Sequence, residues 1–224
     1  MLRKYSVFVF WCLFALLVVA CSEGNKTAGG STEDSGVVAI RDRDVAGVAQ
    51  KGPFEKGSAV TVYELKDKSL ELTGRIFTTL VSSDKGEFAF QKLNLVSQYA
   101  VFEVTGRYRN EVSGEVTSAK VSLSALVDLT ETDSVNINVL THLDYDRIQE
   151  LVQNGTDYAD AKEKSRNEIS AAFGMEPPAQ GFENLNVFGA ASYNETLADE
   201  LSDLLFTKTF PLDLGDIAAK MEIF

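Results

Sequence analysis

Ala59-Val60-Thr61-Val62-Tyr63-Glu64-Leu65 alternates with a period of two and is rich in β-branched residues. That is the pattern of a strand whose two faces meet different surroundings. The same period extends outward from it. Arg75-Ile76-Phe77-Thr78-Thr79-Leu80-Val81 predicts a second strand. Ser82-Ser83-Asp84-Lys85-Gly86 predicts a turn, with Gly86 free to take positive φ, and Glu87-Phe88-Ala89-Phe90 returns as a third strand. Tyr99-Ala100-Val101-Phe102-Glu103-Val104-Thr105 predicts a fourth, closed by Gly106, and Val116 to Val127 carries one or two more. Val135-Asn136-Ile137-Asn138-Val139 ends the series. Short strands punctuated by Gly, Asp and Asn predict an antiparallel β-sandwich over residues 37–138.

At Leu140 the period changes. Leu140, Leu143, Ile148, Leu151 and Val152 fall near helical spacing, with Thr141 as the expected N-cap, Asp144 in the first turn and Asn154-Gly155 as the stop. Tyr158, Ala161, Ser165, Ile169, Ala172 and Phe173 mark a second amphipathic helix, capped by Thr156 or Asp157 and ended by Gly174. Helices joined by so short a turn are expected to be antiparallel neighbours. Met175-Glu176-Pro177-Pro178 cannot continue the helix, and an irregular loop is expected to about Ala191. Leu197, Leu201, Leu204 and Leu205 predict a third helix, and Leu214, Ile217, Ala218 and Met221 a short fourth after Pro211. The fold class expected is therefore α+β: a β-sandwich domain over 37–138, then an α-helical domain over 139–224. The abrupt apolar end at Ile223-Phe224 suggests a truncated member of a longer family.

The N-terminus reads as an export signal. Arg3 and Lys4 precede an unbroken apolar run from Val7 to Ala20, too short to span a bilayer and of the length of a signal-peptide core. Leu17-Val18-Val19-Ala20-Cys21 resembles the bacterial lipobox, with Val18 where leucine is commonest. The resemblance implies a signal peptide over 1–20, cleavage before Cys21 and lipid on its thiol. Ser22 to Gly36 is Gly/Ser/Thr-rich, with no apolar side chain larger than alanine, so 21–36 is expected to be a flexible tether. Two or three acyl chains, at about 0.8 kcal/mol per buried methylene, would hold the chain on a membrane. Ser22 rather than Asp after the cysteine favours the outer membrane, by analogy with enteric bacteria.

Composition narrows the function. Without Arg3 and Lys4, 19 basic residues face 33 acidic ones, a net charge of −14. Such a surface repels nucleic acid, so neither DNA nor RNA is expected as a partner. Cys12 leaves with the leader, so no intramolecular disulfide is available and a packed core must supply stability. His142 is the only histidine, which removes zinc sites of the Cys/His kind. It is expected to be a surface or capping residue beside Asp144 and Asp146. Oxygen ligands for calcium are available at Asp42 and Asp44 and at Asp128 and Asp133, although neither stretch has EF-hand spacing. There is no nucleophile elbow and no phosphate loop, and the expectation is no catalytic residue and no cofactor. The single tryptophan, Trp11, also lies in the leader, so sugar stacking would fall to Tyr99, Tyr108, Tyr145, Tyr158 and Tyr193, most of which are expected in the core or at its rim.

Two resemblances add to this reading. Gly47-Val48, Gly52-Pro53, Gly57-Ser58-Ala59-Val60-Thr61-Val62, Asp84-x-Gly86-x-Phe88-x-Phe90, Leu93 and Tyr99-x-Val101-x-Glu103-Val104 resemble a carboxypeptidase-regulatory-like, or prealbumin-like, β-sandwich over roughly residues 47–105. That family is a non-catalytic scaffold whose Gly-x-Phe-x-Phe strand sends two aromatics into the core. Gly52-Pro53-Phe54-x-Lys56-Gly57-Ser58, Asn136-Ile137-Asn138-Val139-Leu140-Thr141-His142-Leu143 and Ala159-Asp160-Ala161-Lys162 look like exported lipoproteins of Fibrobacter and its relatives. The second resemblance implies an exported surface protein and names no activity. The lipobox, the tether, the scaffold-like sandwich and the lack of a catalytic constellation lead to the expectation of a lipid-anchored, non-enzymatic surface protein with a structural or adhesive role, its partners the membrane through Cys21 and a cell-envelope protein or a polysaccharide. Polysaccharide binding in support of fibre degradation is the alternative.

Overall fold

The computed structural model describes residues 36–110 and 113–186. Six strands form two sheets, and two helices follow them, an α+β arrangement. The strands are β1 (Ile40–Val48), β2 (Ala59–Leu65), β3 (Leu72–Leu80), β4 (Glu87–Leu95), β5 (Tyr99–Gly106) and β6 (Val121–Asp128); the helices are α1 (Val139–Gln153) and α2 (Tyr158–Phe173). β1 and β4 pair as one sheet, and the other runs in the order β3-β2-β5-β6, antiparallel throughout.

The period-two pattern sorts side chains as alternation requires. Val60, Val62, Ala100, Phe102, Val104, Leu123, Ala125 and Val127 of the larger sheet cluster with Val45, Phe88, Phe90, Leu93 and Leu95 of the smaller. Phe88 and Phe90 are both buried, and Phe90 meets Phe102 edge-on at 5.8 Å between ring centres. The alternate residues Leu65, Tyr99, Val101 and Leu126 form a second cluster with Ile148, Leu151, Tyr158 and Ala161 of the helices. Helical Leu140, Leu143 and Ile169, with Phe182 and Leu185, also join the first cluster, so strands and helices share apolar packing.

Several elements differ from the sequence expectation. β1 is a strand that the sequence reading does not contain. Its alternation is hidden in Arg41-Asp42-Arg43-Asp44 because its register to β4 shifts on both sides of Arg43 and Asp42 takes a φ of 45°. Val135–Val139 is not a regular strand: Ser134 and Ile137 make isolated parallel bridges to Ala46 and Ala49 at the end of β1. The approach is so close that a Cβ on Gly47 would lie 1.8 Å from the Val135 carbonyl oxygen. Thr141 is not the N-cap of α1. Asn138 holds that position in extended backbone; its Oδ1 accepts the Thr141 N–H at 2.9 Å, and Thr141 Oγ1 accepts the Asn138 N–H at 2.9 Å. The box starts three residues earlier because Val139 and Leu140 turn into the core as the first helical residues. Asp157 caps α2 and Gly174 ends it in the left-handed conformation, as the sequence suggests. The leader, the cysteines, most of the tether and the third and fourth predicted helices lie outside the described residues.

Candidate functional site

Tyr158, Lys162 and Arg166 recur every four residues, so they form one stripe along α2. That stripe lines a cleft of about 450 Å³. Asp128 at the end of β6, Glu131 and Thr132 beyond it, Lys68, and Gln180, Gly181, Glu183 and Asn184 are also in the wall.

The floor is a buried polar network. Lys162 Nζ lies 2.8 Å from Glu183 Oε1 and donates to the Leu126 carbonyl at 3.2 Å. Its side chain is only 12% exposed and that of Glu183 7%, so each would be an uncompensated charge without the other. Burial pulls the lysine toward the neutral form, but the acids Glu183 and Asp144 beside it oppose that pull, and the net shift is upward. Gly181 leaves room for the Glu183 side chain: a Cβ there would come within 2.2 Å of its carboxylate.

Tyr158 lies against Tyr99, rings at 66° and centres 4.9 Å apart. Its hydroxyl is buried without a hydrogen-bond partner, and burial raises its pKa, so it remains a neutral phenol able to donate. Arg166 Nε is likewise buried and unpartnered. Behind the stripe, Asp144 of α1 is 4% exposed and leaves Oδ1 unpartnered. Burial raises its carboxyl to about 6, against the opposing pull of Lys162. The cleft thus offers donors along α2, carboxylates at Asp128, Glu131, Asp157 and Glu163, and amides at Gln180 and Asn184. Such a lining can offer hydrogen bonds to a polar ligand.

The structure separates the residues singled out from the sequence. Asp44 accepts the Lys92 N–H at 2.9 Å, and Asp42 exchanges hydrogen bonds with the Asn94 side chain, so both close the irregular β1–β4 register. Asp128 accepts from the Thr130 N–H and hydroxyl at 2.8 and 2.6 Å. Asp133 is exposed and offers its carbonyl to the Ala46 N–H. Among the described residues no group of three or more His, Cys, Asp or Glu side chains is placed to hold a metal ion. His142 is half-buried in the first turn of α1, with Nδ1 buried and unpartnered. Tyr99, Tyr108 and Tyr158 are buried, Tyr145 is half-buried and Tyr193 lies outside the described residues.

Sequence reasoning missed Lys162, Arg166 and Glu183. A signal existed for the first two, since four-residue spacing from Tyr158 places cations beside the apolar stripe of α2. Glu183 had none, because it sits in a stretch read as irregular loop. No family model matches this chain, and neither does a curated protein or a solved structure.

Proposed function

We propose that this chain is a lipid-anchored protein of the cell envelope, held on the outer membrane through Cys21. Its sheets would form a sandwich-like stalk of the carboxypeptidase-regulatory kind, and the chain would belong with exported lipoproteins of the Fibrobacter type. Its role is structural or adhesive, and it binds rather than catalyses. The observation that carries the binding reading is the cleft along α2, whose innermost ionised groups, Lys162 and Glu183, are committed to each other at 2.8 Å. A group held in such a pair is poorly placed to exchange protons with a substrate. The remaining wall offers donors and acceptors to a ligand.

The lining also favours a second reading. Carboxylates, amides and a guanidinium pair well with the adjacent hydroxyls of a polysaccharide.

Metabolic labelling with a palmitate analogue tests the anchor. The native chain should take label and Cys21→Ala should not; surface proteolysis of intact cells then reports exposure. Arg166→Ala should weaken retention on a cell-envelope fraction under the adhesive reading, or on insoluble cellulose under the second. Hydrolytic turnover abolished by one acid-to-amide change in the cleft would overturn both.

A further inference from the structure

β3 is an edge strand of the four-stranded sheet, and its outward face is apolar. Leu72, Ile76 and Leu80 are 59%, 56% and 58% exposed, three of the five large apolar side chains exposed among the described residues. Among the described residues the backbone of this edge is open as well. Val81 gives its N–H to the Ser58 carbonyl at 2.9 Å, so odd-numbered residues of the strand bond inward to β2. Ile76, Thr78 and Leu80 therefore turn their N–H and C=O groups outward.

Exposed edges are usually blunted by a lysine, a proline or a bulge. β3 bulges around Gly74, where Tyr63 pairs with Ile76 but Leu65 with Leu72. Residues 76–81 beyond it run regularly and contain no lysine, no proline and no charge. The one charged residue of β3, Arg75, is tied down by Glu64 at 3.0 Å and by the Asn94 carbonyl at 2.9 Å.

We infer that this edge pairs with the same edge of a second copy of the chain, joining two four-stranded sheets across a two-fold axis at Thr78. Three features select this occupant. Outward-facing backbone donors and acceptors call for a strand. With Thr78 opposite Thr78 of the second copy, Ile76 falls opposite Leu80 and Phe77 opposite Thr79, so apolar residues meet apolar residues on the exposed face. Every pair in this register also joins residues of the same parity, as the outward hydrogen bonds require. Charge agrees: two copies of a chain with 33 acidic residues and a net charge of −12, or −14 without Arg3 and Lys4, repel broadly, and the uncharged run 76–81 lets them meet without opposed like charges.

The test uses the full chain in detergent. Sedimentation should give a dimer, and Ile76→Lys with Leu80→Lys should give a monomer with an unchanged circular dichroism spectrum, because both side chains are already exposed. Thr78→Cys should form an inter-chain disulfide under mild oxidation, above the background of the unsubstituted chain. Thr61→Cys, on the neighbouring strand directly opposite Thr78, should not. A native monomer would mean that the edge stays free or is covered by its own chain, and would overturn the inference. So would a dimer that survives the double lysine substitution, an open-ended assembly, or equal cross-linking at 61 and 78.

Discussion

The two faces of the four-stranded sheet are built from the same strands and packed by different rules. One face is apolar and dry: Val60, Val62, Phe102 and Val104 cluster with Phe88, Phe90 and Leu93. The other face is divided. Its β5–β6 half lies under helices that bring Asp144, Tyr158, Lys162 and Ser165 inside, and its β3 half leaves Leu72, Ile76 and Leu80 in water. The dry face derives stability from area and close packing. The helical face accepts the cost of buried polar groups, and the cleft lies where those groups come to the surface.

This contrast can be tested most sharply at its centre. Phe102→Ala on the dry face should lower unfolding free energy by about 3–5 kcal/mol, read from urea midpoints, because the cavity cannot fill with water. On the helical face, Lys162→Met should cost about 3 kcal/mol or more by stranding the Glu183 carboxylate. Adding Glu183→Leu should restore much of the loss, since a buried pair replaced by apolar groups is often neutral. A double variant as unstable as the single one would show that hydrogen bonds to the rest of the network matter more than the pair.

Asp144 makes a pH prediction. Its carboxyl, near 4 in the unfolded chain, is raised to about 6 by burial, so the folded state binds the extra proton. Its contribution is therefore most favourable below about pH 4, falls as the pH rises from about 4 to 6, and is flat above that. Asp144→Asn should remove this slope and be more stable than the native chain above pH 6, by an amount on the order of 2–3 kcal/mol. Urea midpoints of both chains from pH 4 to pH 8 check it, and parallel profiles would place the proton elsewhere. The smallest effect belongs to the open half: Ile76→Thr should change the stability of the monomer by no more than about 0.5 kcal/mol.

Where local chemistry was sufficient, the sequence was legible. β2 follows from its alternation, β5 from a run of apolar and β-branched residues buried on both faces, and α2 from its apolar stripe between Asp157 and Gly174. β1 was illegible because its alternation is broken by bulges that only the partner strand β4 explains. Thr141 fits an N-cap by type. Asn138 takes the position because the first turn of α1 begins where Val139 and Leu140 enter the core. Half of the cleft could be read from the spacing of Tyr158, Lys162 and Arg166. The other half, Glu183, lies 21 residues from Lys162 in an irregular stretch.

The sequence by itself determined the period of most elements, the switch from strands to helices near residue 139 and the acidic charge. These are properties of neighbouring residues, set by backbone geometry and side-chain type. Tertiary structure alone decided which sheet face would be dry, which buried lysine would meet which glutamate, and which strand would be left at an edge. Those outcomes depend on groups distant in the chain, and burial gives them their energy only once the chain has closed around them.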